Sequence, residues 1–134
     1  MTHGLRLPRS EILRGYRAFA EVFSRRQYLD SELIRCFYIH ERPIPPGSIT
    51  VGFAVRNARG AVARNRLRRQ LREAYRLNKS SITELCRRHD TRIRCVFLAD
   101  AARIKPEMDF IRIQQSLQDI LNALCRKIFP SENR

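Results

Sequence analysis

The residues with the most chemistry to offer lie between Arg56 and Arg76, R-N-A-R-G-A-V-A-R-N-R-L-R-R-Q-L-R-E-A-Y-R. The stretch holds eight arginines (Arg56, Arg59, Arg64, Arg66, Arg68, Arg69, Arg72, Arg76) and one acid, Glu73. Guanidinium groups grip phosphate oxygens bidentately and stack on bases. At about 100° per residue of helix, Ala63, Leu67, Leu71 and Ala74 share a narrow arc that must face a core. Asn65, Arg68, Arg69, Arg72 and Arg76 cluster on the opposite side, and Arg64 and Arg66 flank the apolar stripe. Like charges at i, i+4 each cost an isolated helix about 0.2–0.5 kcal/mol. A solvated charged face normally mixes signs. This one does not, so it suits a polyanion. Asn65 stands apart: its amide can bond a base edge or a ribose hydroxyl, or it can cap or brace the neighbouring loop.

Other chemistries are poorly supplied. Metal-dependent phosphodiesterases gather carboxylates around their ions, and the 13 acids here are scattered. His3, His40 and His89 do not pair as a metal-free nuclease would need. Cys36, Cys86, Cys95 and Cys125 form no C-x-x-C and no zinc spacing with the histidines. Cys36 and Cys95 sit in apolar runs, where cysteine behaves as a small buried hydrophobe. The sequence therefore offers no catalytic residue, no metal ligand and no cofactor site of its own.

The whole chain carries the same bias. Its 134 residues have a formal charge of +14, with 24 arginines against three lysines. Net charge of this size opposes compaction and points to nucleic acid. The apolar content of 43% can fill one core. No apolar run approaches the ~20 residues of a membrane span, and M-T-H-G-L-R-L-P-R-S-E-I-L-R-G lacks the marks of a secretory signal. The expectation is a cytoplasmic single RNA-binding domain over 1–134, with a basic arm at 1–12, a globular core at 13–128 and a tail at 129–134.

Periodicity supplies the elements. Tyr16, Phe19, Ala20 and Phe23 recur at helical spacing and predict a helix from Tyr16 to about Arg26. Leu33–His40 and Ser48–Val55 read as strands. The proline-stiffened Glu41–Gly47 joins them, predicting an antiparallel hairpin. The basic helix runs from about Val62 to Leu77, and a weaker one at Ser81–Arg88 opens on a capping box, Ser81 to Glu84. Arg92–Ala99 is a third strand. A long helix from Pro106 to about Ile128 follows, with Met108, Ile111, Leu117, Ile120, Leu121, Leu124 and Ile128 at helical spacing. The order α-β-β-α-(α)-β-α predicts an α+β fold, a small two-layer sandwich. A DNA-binding helix-turn-helix is disfavoured, because the basic helix follows a strand.

Ala61–Arg76 resembles the R-N-R-x-(K/R)-R-x-x-R-(E/Q)-A-(F/Y) signature of the protein subunit of bacterial ribonuclease P. The match covers Arg64-Asn65-Arg66, Arg68-Arg69 and Arg72-Glu73-Ala74-Tyr75. Arg17–Phe23 is similar to the family's first-helix D-F-x-x-V-F, Val51–Val55 to its V-G-x-x-V strand, and Ser116-Leu117 to an S-L in its last helix. Two segments differ: Arg56-Asn57-Ala58 stands where the family usually has S-K-K, and Arg25-Arg26 where a glycine often follows the first helix.

The resemblance implies a left-handed β-α-β crossover in the sheet, against the general right-handed preference. It implies that Arg64, Asn65, Arg66, Arg68, Arg69 and Arg72 contact a catalytic RNA, with Arg56, Arg59 and Arg76 in the same basic segment. It implies that Phe19, Phe23 and either Phe37 or Tyr38 line a cleft for the 5′ leader of precursor tRNA. The expected partners are therefore the RNA subunit and the leader, with no membrane and no DNA. Mg²⁺ and the chemistry would be carried by the RNA. A general RNA chaperone or ribosome-associated protein is the alternative; it would share the charge but not the signature.

Overall fold

The computed structural model describes residues 6–105 and 110–132. Four strands, β1 (Tyr28–Asp30), β2 (Ile34–Glu41), β3 (Ser48–Arg56) and β4 (Arg92–Asp100), form one sheet in the order β1-β2-β4-β3. The helices are α1 (Tyr16–Ser24), α2 (Ala61–Asn78), α3 (Ser80–Arg88) and α4 (Phe110–Ile128). The fold is α+β.

The predicted β2–β3 hairpin does not form. β4 lies between the two strands, antiparallel to β2 and parallel to β3. Alternating apolar residues satisfy either pairing, so the local pattern does not choose the neighbour. Instead of closing a tight turn, the Pro-rich connection runs beside the α3–β4 junction, where Ile44 N–H donates to Asp90 O and Ser48 N–H to Thr91 O. β1 goes unread in the sequence because it has only three residues.

Strand alternation builds two cores. On one face Ile34, Cys36 and Tyr38 of β2, Ile49, Val51 and Phe53 of β3, and Ile93, Cys95, Phe97 and Ala99 of β4 pack against α2, α3 and α4. From α2 come Leu67, Leu71, Ala74 and Tyr75, while Ala63 is only half-buried. The rings of Phe53, Tyr75 and Phe97 stack within 6.1 Å of one another. The other face carries α1, and there Val22 joins Leu13, just ahead of the helix, with Ile39 and Val96 of the sheet.

Several boundaries move. The arm is not loose from Leu7 onward. Leu7 packs on the core, Arg9–Glu11 forms a 3-10 turn, and Ile12 bridges Val51 in parallel. The core also extends past 128, because Phe129 is buried and stacks on His89. The capping box is not made: α3 follows α2 with only Lys79 between them, in helical conformation, and has no side-chain cap. Tyr16 is 88% exposed and Ala20 is also exposed, so the buried stripe of α1 runs through Ala18, Phe19, Val22 and Phe23 instead. Arg26 takes a left-handed φ of 54° after α1, the conformation a glycine would favour. Pro106 and Met108 lie outside the described residues.

Candidate nucleic-acid interface

The interface is assembled from α2, the edge strand β3 with the Ile12–Leu13 arm bonded to it, and the sheet face under α1. α2 starts at Gly60, whose φ of 93° reverses the chain out of the basic loop. That loop is fastened to the end of β4: Asn57 donates to the Asp100 carboxylate at 2.9 Å, and Ala101 N–H to Arg56 O. The same carboxylate accepts from Ala102 N–H and lies 3.5 Å from the Arg56 guanidinium. The Asn57 hydrogen bond, helped by these partners, holds the Asp100 carboxyl below the usual range.

With Leu67, Leu71, Ala74 and Tyr75 turned inward, the arginines of α2 divide into three groups. Arg64, Arg68 and Arg72, four residues apart, lean over the shoulder toward β3 and line a groove of about 620 Å³. Asn65 and Arg69 point outward into solvent, and Asn65 accepts a long 3.4 Å hydrogen bond from Arg68. Arg66 occupies the other shoulder. Arg76 differs from the rest: it forms a two-pronged pair with Glu73 at 2.5 and 2.9 Å. That pairing keeps Glu73 ionised to lower pH than an ordinary glutamate. Arg59 is exposed in the loop, while Arg56 points to the Asp100 end of the sheet.

The remaining groove lining is Ile12, Leu13 and Phe19 on one side, with Gly52, Phe53, Ala54 and Val55 of β3 as its floor. Phe19 reaches the floor because Gly52 has no side chain: a Cβ there would lie 2.5 Å from the Phe19 ring. Phe23 meets Phe37 edge-on, with ring centroids 4.9 Å apart. All three phenylalanines are half-buried. Phe37 and Tyr38 therefore fall on opposite faces. Phe37 lies beneath α1, whereas Tyr38 is 1% exposed in the core against the other helices. Tyr38 is removed from the leader-cleft residues, since a ring buried there cannot meet a ligand. Among the described residues no three His, Cys, Asp or Glu side chains converge as metal ligands, and no helix is long and apolar enough to cross a membrane.

Several contributors escaped the sequence reading. Gly52 could have been noticed, because a glycine inside a β-branched strand signals close approach. Arg94, which pairs with Glu21 of α1 and Glu41 of β2 and so ties α1 to the sheet, carries no local signal.

A family model described as Ribonuclease P matches residues 7–125. The chain belongs to the ribonuclease P protein family. A ribonuclease P protein component from Chlorobium phaeobacteroides is 33% identical over 130 residues, 93% of this chain and 77% of that protein. Another from Chlorobaculum tepidum is 39% identical over 82 residues, 58% of this chain and about half (53%) of the relative's length. A solved structure of a Staphylococcus aureus RNase P protein mutant with defective mRNA degradation activity is similar at TM-score 0.65 and 20% identity, over 86% of this chain and 88% of that one. The RNase P protein from Thermotoga maritima is similar at TM-score 0.57 and 25% identity, over 87% and 96%. Within this ribonuclease P family member, the R-N-R signature is split by the helix: Arg64, with Arg68 and Arg72, lines the groove, while Asn65 and Arg66 are turned away from it.

Proposed function

We propose that this chain is the protein component of a cytoplasmic ribonuclease P holoenzyme that removes the 5′ leader from precursor tRNA. The observation that carries the reading is the groove that joins Arg64, Arg68 and Arg72 to Phe19 over Gly52. Cations on one wall and an aromatic ring on the other are what a single strand of RNA needs, phosphates on one side and bases on the other. The outward residues Asn65, Arg66 and Arg69 bind the catalytic RNA. Phe19, Phe23 and Phe37 hold the leader under α1. The RNA supplies Mg²⁺ and the bond cleavage, and the protein neutralises phosphate charge and fixes the substrate's position. Arg76, already paired with Glu73, contributes less to RNA binding than its neighbours.

Reconstitution tests this. At low Mg²⁺, protein and catalytic RNA together should cleave precursor tRNA, while either alone should be nearly inactive. Cleavage by rigorously RNA-free protein would overturn the reading. RNA binding with no stimulation of cleavage would favour a general chaperone.

A further inference from the structure

The aromatic path continues beyond Phe37. Tyr28 of β1 lies opposite Phe37 across the strand pair, with ring centroids 5.5 Å apart, and is 45% exposed. Arg35, two residues from Phe37 on the same face, lays its guanidinium 4.1 Å over the Tyr28 ring. Asp30, opposite Arg35, fixes that plane with hydrogen bonds of 2.7 and 3.1 Å. The Arg35 side chain remains 40% exposed. Beyond it the sheet ends in a cavity of about 250 Å³, bounded by Asp30, Arg35, Arg56, Leu98, Asp100 and Arg103.

The electrostatics of this cavity favour an anion. Asp30 is engaged by Arg35, and Asp100 by Asn57, Ala102 N–H and Arg56, with the Arg103 charge also acting on it from further off. Arg103 is exposed and makes no ion pair among the described residues. A guanidinium centred over an aromatic ring leaves its far side open for a base to stack on. Arg56 and Arg103 line the same cavity as Arg35, within reach of a phosphate attached to such a base.

We propose that Tyr28, Arg35 and Arg103 form a second single-strand nucleotide site, which takes the part of the leader that runs on past Phe37. The base stacks on the Arg35–Tyr28 pair, and its phosphate meets Arg103 and Arg56. The site rests on the leader-binding reading above and lengthens the bound stretch by one or two nucleotides.

Leader length separates the two claims. Holoenzyme reconstituted with the catalytic RNA is given tRNA with no leader, with about three leader nucleotides and with about eight, within the footprint of small single-strand sites. Wild type should bind more tightly at each extension. Tyr28→Ala and Arg103→Ala should each remove most of the gain from the longer leader, about fivefold or more, and keep the gain from the short one. The Arg103 side chain is exposed, so its variant carries the test even if Tyr28→Ala destabilises β1. The proposal is overturned if wild type gains nothing from the longer leader, or if both variants keep that gain. It is equally overturned if they weaken assembly whether or not a leader is present, which would give the cavity to the catalytic RNA. Wild type that gains nothing from any leader would instead remove the leader-binding reading itself.

Discussion

The Phe19 ring rests directly on the α-carbon of Gly52, with ring atoms 2.5 and 2.8 Å from where a methyl group would stand. No side chain fits between helix and strand at this point, so the glycine sets how deeply α1 sits on the sheet. Gly52→Ala should push Phe19 outward at an overpacking cost of about 1–3 kcal/mol. Binding of the catalytic RNA should survive while the preference for precursor over mature tRNA falls. Urea unfolding and competitive binding on the same variant check both. Unchanged discrimination would mean that Phe19 does not touch the leader.

Salt should separate the arginines of α2. Arg68→Ala or Arg72→Ala should each lower the slope of log K against log salt by about one unit for RNA binding, without loss of fold. Arg76→Ala should lower it less, because Glu73 already occupies its guanidinium. Equal slopes for all three variants and wild type would show that none of these arginines meets phosphate.

Phe23 and Tyr38 should fail in different ways. Tyr38 is buried in the core, so Tyr38→Ala should cost about 3–5 kcal/mol of stability and leave leader preference unchanged in the surviving folded protein. Phe23 is half-buried against Phe37. Its truncation should cost less stability and remove about 1–3 kcal/mol of precursor selectivity, the scale of one base stacked on an aromatic ring. Thermal denaturation and precursor/mature competition distinguish them.

The arm that walls the groove is pinned by Lys79, whose side chain is 5% exposed and lies 2.7 Å from the Glu11 carboxylate. Glu11→Gln leaves that ammonium buried without its counter-charge. A loss of about 3 kcal/mol is expected, at the low end for buried pairs because Glu11 is itself partly exposed. The double change Glu11→Leu with Lys79→Met should recover most of the loss. Chemical denaturation of the three chains would refute this if the single variant matched wild type.

The thiols supply a pH dependence. Burial pushes Cys86 from its ordinary 9.0 up to about 12 and raises Cys36 and Cys125 in the same sense. A folded chain that keeps a proton released on unfolding is stabilised fully below pH 9, and that contribution fades as pH rises through about 12. Stability should therefore fall over this alkaline window, and less steeply in Cys86→Ala once its own packing loss is subtracted. Alkylation of native protein should reach half-buried Cys125 before Cys36, Cys86 and Cys95.

What could be read from the sequence depended on whether the information is local. The inward stripe of α2 follows from helix geometry, and Leu67, Leu71 and Ala74 are buried as their spacing predicts. Strand partners are not local: Ser48–Val55 looks the same whether it pairs with β2 or β4. The Phe37/Tyr38 ambiguity had the same origin, since one residue of register decides which face a side chain takes. A helical wheel groups Arg68 and Arg72 with Asn65. Only the position of β3 turns them toward a groove. Tyr28 escaped because three residues carry no period.

Because β4 lies between β2 and β3, the cleft is a late product of synthesis. Phe37 and Gly52 leave the ribosome well before Val96, the residue that joins their strands across the same face. Until then the arginines of α2 are already synthesised, but Gly52 and Phe37 are not yet joined into the sheet on which Phe19 settles. Domains form as units during elongation at about 5–20 residues per second, so the interval is on the order of seconds. In that time the most basic segment is exposed to every RNA nearby. Under the proposed function, the basic segment that grips RNA is thus made before the cleft that selects among RNAs, which is complete only when the final strand takes its place in the middle.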